Sequence, residues 1–231
     1  MQYNTEKVKN LFNKSDEQII ERILTLKQIL QENRASPVDY HDLAIHYFFL
    51  KNYDKTIHTI NELLKRFPDY IDLNRALKLK IIAQIYLKQY DAAIKEILNR
   101  LKINPQDVIL LSCLAHCFEK KNQFQKALQI HRKILDIEPN RASSLNSYAY
   151  LLTLYGPKEF LNTAEVYIKR ALKINPNNPA YLDTYGVFLN KIGKKDLAKQ
   201  YLLKALQLDP KNVEIIMHLK DILKEKKESI K

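Results

Sequence analysis

Bulky apolar residues recur along this chain at spacings of three and four, the period of an α-helix with one buried stripe. Over residues 108–120 the stripe is Leu111, Leu114, Ala115 and Phe118; over 123–136 it is Phe124, Ala127, Leu128 and Ile134. About three residues separate the two stretches, which predicts an antiparallel helical hairpin. The same two-helix pattern returns five times. Its clearest copy is Leu182, Tyr185, Gly186, Leu189, Ala198, Leu202 and Pro210, and the third copy reads Leu111, Leu114, Ala115, Phe118, Ala127, His131 and Pro139. A period of about 34 residues means stacked helical units rather than one globular kernel. The expected fold class is all-α, an α-solenoid of antiparallel helix pairs.

Prolines punctuate the copies. Pro68, Pro105, Pro139, Pro176 and Pro210 follow one another at 37, 34, 37 and 34 residues. Each ends a helical stretch, because proline restricts the residue before it and donates no hydrogen bond. Of the two long intervals, one places its extra residues at Ile71–Leu73, as an extension of the front of a helix. The other places them near Gly156–Phe160, where Gly156 is expected to end a helix in a left-handed conformation. The division is residues 37–70, 71–107, 108–141, 142–178 and 179–211 for the repeats, 1–36 for N-terminal capping helices, and 212–231 for a C-terminal capping helix and a frayed tail. Ser15 to Gln18 reads as a capping box that starts a helix running to about Arg34, with Ile19, Ile23, Leu26, Ile29 and Leu30 as its stripe. Val8, Leu11 and Phe12 suggest a short helix before it. Asn212 caps a last helix to about Lys227, with Ile215, Ile216, Leu219, Ile222 and Leu223 facing inward. Small residues at Ala44, Ala115, Ala149 and Gly186 mark places where a second helix approaches closely.

The combination resembles the tetratricopeptide repeat, whose signature is tryptophan, leucine, glycine, tyrosine, alanine, phenylalanine and proline at fixed offsets. The tryptophan position holds Tyr40, Leu77, Leu111, Leu145 and Leu182. The first copy reads Tyr40, Leu43, Ala44, Tyr47, Thr56 and Ile60, and the fourth Leu145, Tyr148, Ala149, Leu152, Ala164, Ile168 and Pro176. The second departs most in its first helix (Leu77, Lys80, Ile81, Gln84) and recovers in Tyr90, Ala93, Ile97 and Pro105. The resemblance spans about residues 37–227. It implies a right-handed superhelix whose concave groove is lined by the first helix of each pair. On that reading the groove holds His41, Ile45 and Phe48, then Arg75, Lys78 and Ile82, then Ser112 and His116, then Asn146 and Tyr150, and last Asp183, Val187 and Asn190. Phe48 and Tyr150 are the expected anchors, since aromatics dominate binding hot spots. The carboxylate clamp of one subclass of this family needs a lysine–asparagine pair, and these positions lack it.

Charge adds a second surface. The net charge is +12, spread as zero over residues 1–70, +5 over 71–140 and +7 over 141–231. Lysines collect at the turn inside each helix pair: Lys51, Lys88, Lys120 with Lys121, Lys158, and Lys191 with Lys194 and Lys195. Such an edge would suit RNA phosphate or another anionic surface. With 30 lysines to 8 arginines, the composition lacks the arginine fork on which base reading leans, so a solubilising surface is the simpler reading. Cys113 and Cys117 lie four apart on one predicted helix, a poor disulfide geometry. With His116 and His131 they could ligate zinc, but small buried thiols at helix contacts are commoner; no metal and no cofactor are expected. Three glycines build no phosphate loop, and neither His-Glu-x-x-His nor Gly-x-Ser-x-Gly occurs. No catalytic residue is nominated, and an enzyme is not expected. No apolar run is long enough to span a membrane, and the start lacks a signal-peptide pattern, so a cytoplasmic chain is expected. The expected function is a protein-interaction scaffold or adaptor holding a partner's peptide or helix in the groove, a chaperone or assembly factor being one form of it. The alternative is an RNA or anionic-surface binder on the lysine edge.

Overall fold

The computed structural model describes the backbone of residues 15–228 and side chains through residue 223. The short helix expected around Val8, Leu11 and Phe12, and the end of the frayed tail, lie outside the described residues. Twelve α-helices, one 3-10 turn and no strand occur among those described. They form two compact units divided after Arg100.

In the first unit α1 (Asp16–Gln31) packs on α2 (Pro37–Phe49), which pairs with α3 (Tyr53–Arg66); α4 (Leu73–Tyr86) follows α3, and α5 (Tyr90–Leu101) ends the unit. Tyr40, Ala44, Ile60, Leu63 and Ala76 make one core, and Ile19, Ile23, Leu26 and Leu43 make another beneath the capping helix. Each fully buried leucine or isoleucine contributes about 1.5–3 kcal/mol relative to exposure. Arg22 ties the capping helix to α2 by two bonds to Asp42 Oδ2, at 3.0 and 2.7 Å. In the second copy, Ile81 and Gln84 are buried while Lys80 reaches across to Glu96 at 3.7 Å.

The second unit holds α6 (Val108–Lys120), α7 (Phe124–Ile137), α8 (Ala142–Tyr155), the 3-10 turn Lys158–Phe160, α9 (Leu161–Ile174), α10 (Pro179–Lys191), α11 (Lys195–Leu208) and α12 (Val213–Glu228). Consecutive helices pack on one another, and α8 and α12 also touch α10. One contiguous core runs from Ala127 to Ile222. Leu110 and Cys117 are buried beside the expected stripe of α6. All four small-residue positions are buried. At Gly186 an added Cβ would sit 2.7 Å from Leu202 Cγ.

The turns within pairs share one device. Lys51, Lys88, Asn122 and Gly193 adopt positive φ (56°, 59°, 56° and 82°) between the two helices of their pairs. This left-handed residue ends one helix and reverses the chain in about three residues.

Several local expectations are corrected. Helix α1 ends at Gln31, not Arg34, because Asn33 turns left-handed at φ 54°. Ser15 accepts one bond from the Gln18 amide, but the reciprocal capping box is at Ser36 and Asp39. Ile71 and Asp72 lie in a turn before α4 rather than lengthening it, and Ile71 is exposed. Gly156 is extended, at φ −81° and ψ 159°, because Pro157 and the 3-10 turn carry the chain onward. Leu223 is exposed, whereas Ile215 and Ile222 are buried as expected. Asn212 does cap α12, its Oδ1 accepting from the amides of Glu214 and Ile215.

Candidate functional site

The first helices of the second unit bring three of the nominated groove residues together, with Lys120 of the nominated edge beside them. Asn146 and Tyr150, one turn apart on α8, and Asp183 on α10 line a single pocket of about 270 Å³. Glu119 and Lys120 at the end of α6, Phe124 at the start of α7, Tyr155 at the end of α8 and Glu214 in the first turn of α12 complete its rim. The helical period explains the convergence: residues four apart on α8 share a face, and the neighbouring first helices present their corresponding faces alongside.

Asp183 departs from expectation. It is 7% exposed, and both its oxygens lie against His218 Nδ1 of α12, at 2.9 and 3.1 Å. That hydrogen bond is the main reason the His218 pKa rises above its ordinary value, against the opposing pull of burial. His218 also lies over Tyr150, the ring centroids 6.2 Å apart. Burial first, then the negative charges of Asp183, Glu214 and Glu119, push the Tyr150 phenol up to about 12. Tyr150 therefore keeps its proton at neutral pH and stands in a negative field. Asn146 Oδ1 is buried and accepts no hydrogen bond among the described residues; Asn190 Oδ1, farther along α10, is in the same condition. An acceptor left in that state costs about 1–3 kcal/mol until a donor reaches it.

The remaining nominated residues of this unit lie outside the pocket. Ser112 donates to its own helix at Val108 O, 2.7 Å away. His116 is half-buried, and burial lowers its pKa, with Glu119 opposing. Val187 is half-buried on α10.

In the first unit the nominated residues sit among aromatic neighbours. His41 Nδ1 lies 3.1 Å from the Tyr70 hydroxyl, and burial lowers the His41 pKa against the charge of Asp72. Phe48 packs edge-on against Tyr53 and Tyr86 at 5.4 and 5.8 Å, and those two tyrosines stack at 4.7 Å. Ile45, Lys78 and Ile82 are half-buried, and Arg75 is exposed beside Asp72.

The nominated lysines do sit at the turns. Lys51, Lys88, Lys120, Lys158, Lys191 and Lys194 are exposed, while Lys121 and Lys195 are half-buried. Cys117 is fully buried, and burial, reinforced by Cys113, pushes its thiol up to about 12. His131 packs in the core with Nε2 2.8 Å from Glu119 Oε1. Among the described residues no group of three His, Cys, Asp or Glu could hold a metal ion, and no helix is long and apolar enough to cross a membrane.

Sequence reasoning missed Glu119, Phe124, Tyr155, Glu214 and His218. The first four border turns, where no periodicity distinguishes a pocket residue from a solvated one. His218 is on the capping helix, outside the repeated positions. Its one signal was a histidine one residue ahead of an apolar stripe.

This build, antiparallel helix pairs with a polar pocket on first helices of the second unit, defines an α-helical repeat protein. The tetratricopeptide repeat profile matches residues 180–212, the span of α10 and α11. A TPR repeat-containing protein of Pseudomonas aeruginosa, PA4667, is 31% identical over 173 residues, covering 72% of this chain and 27% of its own length. A tetratricopeptide repeat protein of Parabacteroides merdae superposes with a TM-score of 0.68 at 12% identity, over 80% of this chain and 72% of that one. YrrB, described as a TPR protein with an unusual peptide-binding site, superposes at 0.61 and 15% identity, over 84% and 97%. The chain carries the tetratricopeptide repeat, matched in sequence over residues 180–212. It spans about a quarter of the length of its Pseudomonas relative.

Proposed function

We propose that this chain is a non-enzymatic binding module that holds an extended segment of a partner protein against the first helices of its repeats. Tetratricopeptide repeats as a class mediate protein–protein interactions. The observation that carries the reading is the pocket on α8 and α10, where Asn146, Tyr150 and Asp183 of successive first helices line one concavity. A preformed helical surface takes an extended peptide with little ordering cost. The peptide-binding site of YrrB, a protein of the same fold, is consistent with this use. The five-repeat division of residues 37–211, the groove positions, a cytoplasmic setting and an adaptor or assembly role belong to the same proposal.

The test is affinity capture with wild type beside Tyr150→Ala and Asn146→Ala. Loss of the same co-purifying protein from both variants, with folding intact by circular dichroism, is the expected result. Capture that neither substitution changes would move binding to another surface.

A second reading rests on the turn lysines. In the first unit Lys51 and Lys88 flank the stacked pair Tyr53–Tyr86, and in the second Lys120, Lys121 and Lys158 flank Phe124–Tyr155 in sequence. Lysine beside exposed aromatic surface suits single-stranded nucleic acid. Affinity for RNA that falls steeply with salt, and more gently after reversal of Lys120, Lys121, Lys194 and Lys195, would favour it over the groove.

A further inference from the structure

The chain is strongly basic, yet this pocket is lined by three carboxylates, Glu119, Asp183 and Glu214, against one lysine, Lys120. The acceptors are not all consumed internally. Asp183 is occupied by His218, and Glu119 Oε1 by His131. That leaves Glu119 Oε2 and Glu214 with no hydrogen bond to them among the described residues. Lys120 and the Tyr150 hydroxyl are donors in the same lining, but the carboxylates outnumber the lysine three to one. Their walls are aromatic: Tyr150, and the stacked rings of Phe124 and Tyr155, 3.7 Å apart and 5° from parallel. A space of about 270 Å³ suits one long side chain.

Resting on the groove reading above, we infer that the pocket of the second unit is a receptor for an arginine side chain of the bound partner segment. Charge decides the sign of the guest, since an anion would meet several carboxylates in a half-enclosed site. Shape decides between the cations. A guanidinium is flat, carries five N–H donors in a fixed fork, and lies against aromatic faces, whereas an ammonium is a compact, strongly hydrated point charge. One guanidinium can donate to Glu119 Oε2 or to Glu214 while its plane rests on an aromatic wall. A divalent cation is the poorer guest, because the carboxylates do not converge as a metal-ligand set among the described residues. Burial and then the charges of Asp183, Glu214 and Glu119 raise the Tyr150 pKa, and those same charges would draw a guanidinium in.

The experiment is selection of a random dodecapeptide display library on the folded chain, repeated on Tyr150→Ala and on Glu214→Gln. Glu214 is exposed in the first turn of α12, so the second variant keeps the core. Enriched peptides are then synthesised with arginine, lysine, citrulline or glutamate at the shared position. Citrulline preserves the shape and removes the charge. The expected result is enrichment that depends on Tyr150 and centres on arginine. Citrulline and Glu214→Gln should each weaken binding about tenfold or more, the scale of a charge-assisted hydrogen bond, and lysine less. Enrichment that depends on Tyr150 but shows no arginine, or that tolerates citrulline or glutamate equally, would overturn the arginine site and leave the groove standing. Absence of any Tyr150-dependent enrichment would overturn both.

Discussion

Replacing Gly186 by alanine tests how closely the two helices of a repeat approach. In an exposed helix this change is favourable, because alanine exceeds glycine in helix propensity by about 0.8–1.0 kcal/mol. Here the new Cβ would stand 2.7 Å from Leu202 Cγ, 3.0 Å from its Cδ2 and 3.3 Å from the Ala198 carbonyl. Carbon atoms prefer about 3.5–4.0 Å. Leu202 is wholly buried, so its branch point has nowhere to retreat, and the Ala198 carbonyl is fixed in the α11 backbone. Overpacking of this kind costs about 1–3 kcal/mol. The clash should outweigh the propensity, leaving Gly186→Ala less stable by about 1 kcal/mol and Gly186→Leu by more.

Urea unfolding followed by far-ultraviolet circular dichroism measures this, provided the denaturant slope is unchanged. A partner substitution sharpens it. Leu202→Ala alone should cost about 2–5 kcal/mol by leaving a cavity. Combined with Gly186→Ala, the new methyl enters the vacated space, and the double variant should be more stable than the sum of the singles by about 1 kcal/mol. If Gly186→Ala raises stability, and the pair is additive, the close approach is not what glycine provides here.

Three further outcomes follow from the charged and thiol groups. The His218 pKa is raised by its bond to Asp183 and, after the opposing effect of burial, by the charges of Asp183, Glu214 and Asp221. The bond's contribution is therefore full below about pH 6.5 and lost as pH rises through the folded value. Protection of α12 amides, corrected for intrinsic exchange, should fall as pH rises above about 6.5 and through the folded value; a His218→Ala variant showing the same fall would refute the link. At Asp42 burial pulls upward, but hydrogen bonds from His46 and Arg22 outweigh it and hold the carboxyl at about 2. This stability is present above about pH 4 and lost as pH falls toward 2; Arg22→Ala should move the acid transition upward and cost about 1 kcal/mol, discounted for exposure. An unmoved acid midpoint would contradict this. Cys117, buried with its thiol at about 12, should resist iodoacetamide at pH 8 in native protein and react once urea unfolds it. Mass spectrometry that finds equal labelling in both states would show the helix contact to be open.

How much was legible in the sequence depends on which physics set each feature. The helix pairs were readable because burial repeats with the helical period: Leu111, Leu114 and Ala115 recur as Leu145, Tyr148 and Ala149. The small-residue positions were readable because close helix approach admits few side chains. Turn conformations were less so. Gly156 looked like the left-handed residue, yet Lys51, Lys88 and Asn122 take that role in three pairs, because reversing the chain in three residues demands it whatever the side chain. The repeat register nominated groove positions without their chemistry. Asp183 counted as free until α12 supplied His218, a contact made by a helix outside the repeat that no periodicity within the repeats could reveal.

Two corresponding places show why the signature is silent on the ligand. Phe48 and Glu119 each stand one residue before the last residue of the first helix of their pair. Tyr53 and Phe124 each open the second helix, and Tyr86 and Tyr155 each close the next first helix. In the first unit the three rings form an apolar cluster, with Phe48 within 6 Å of both tyrosines. In the second a carboxylate replaces the phenylalanine, is held by His131, and the two remaining rings close to 3.7 Å. The buried stripe takes part in the exchange, because His131 stands where the first copy has the buried Ile60. Two coupled differences, Phe48 against Glu119 and Ile60 against His131, thus separate a greasy corner from an acidic, aromatic one. The repeat pattern admits both pairs, so its periodicity carries no word on the guest.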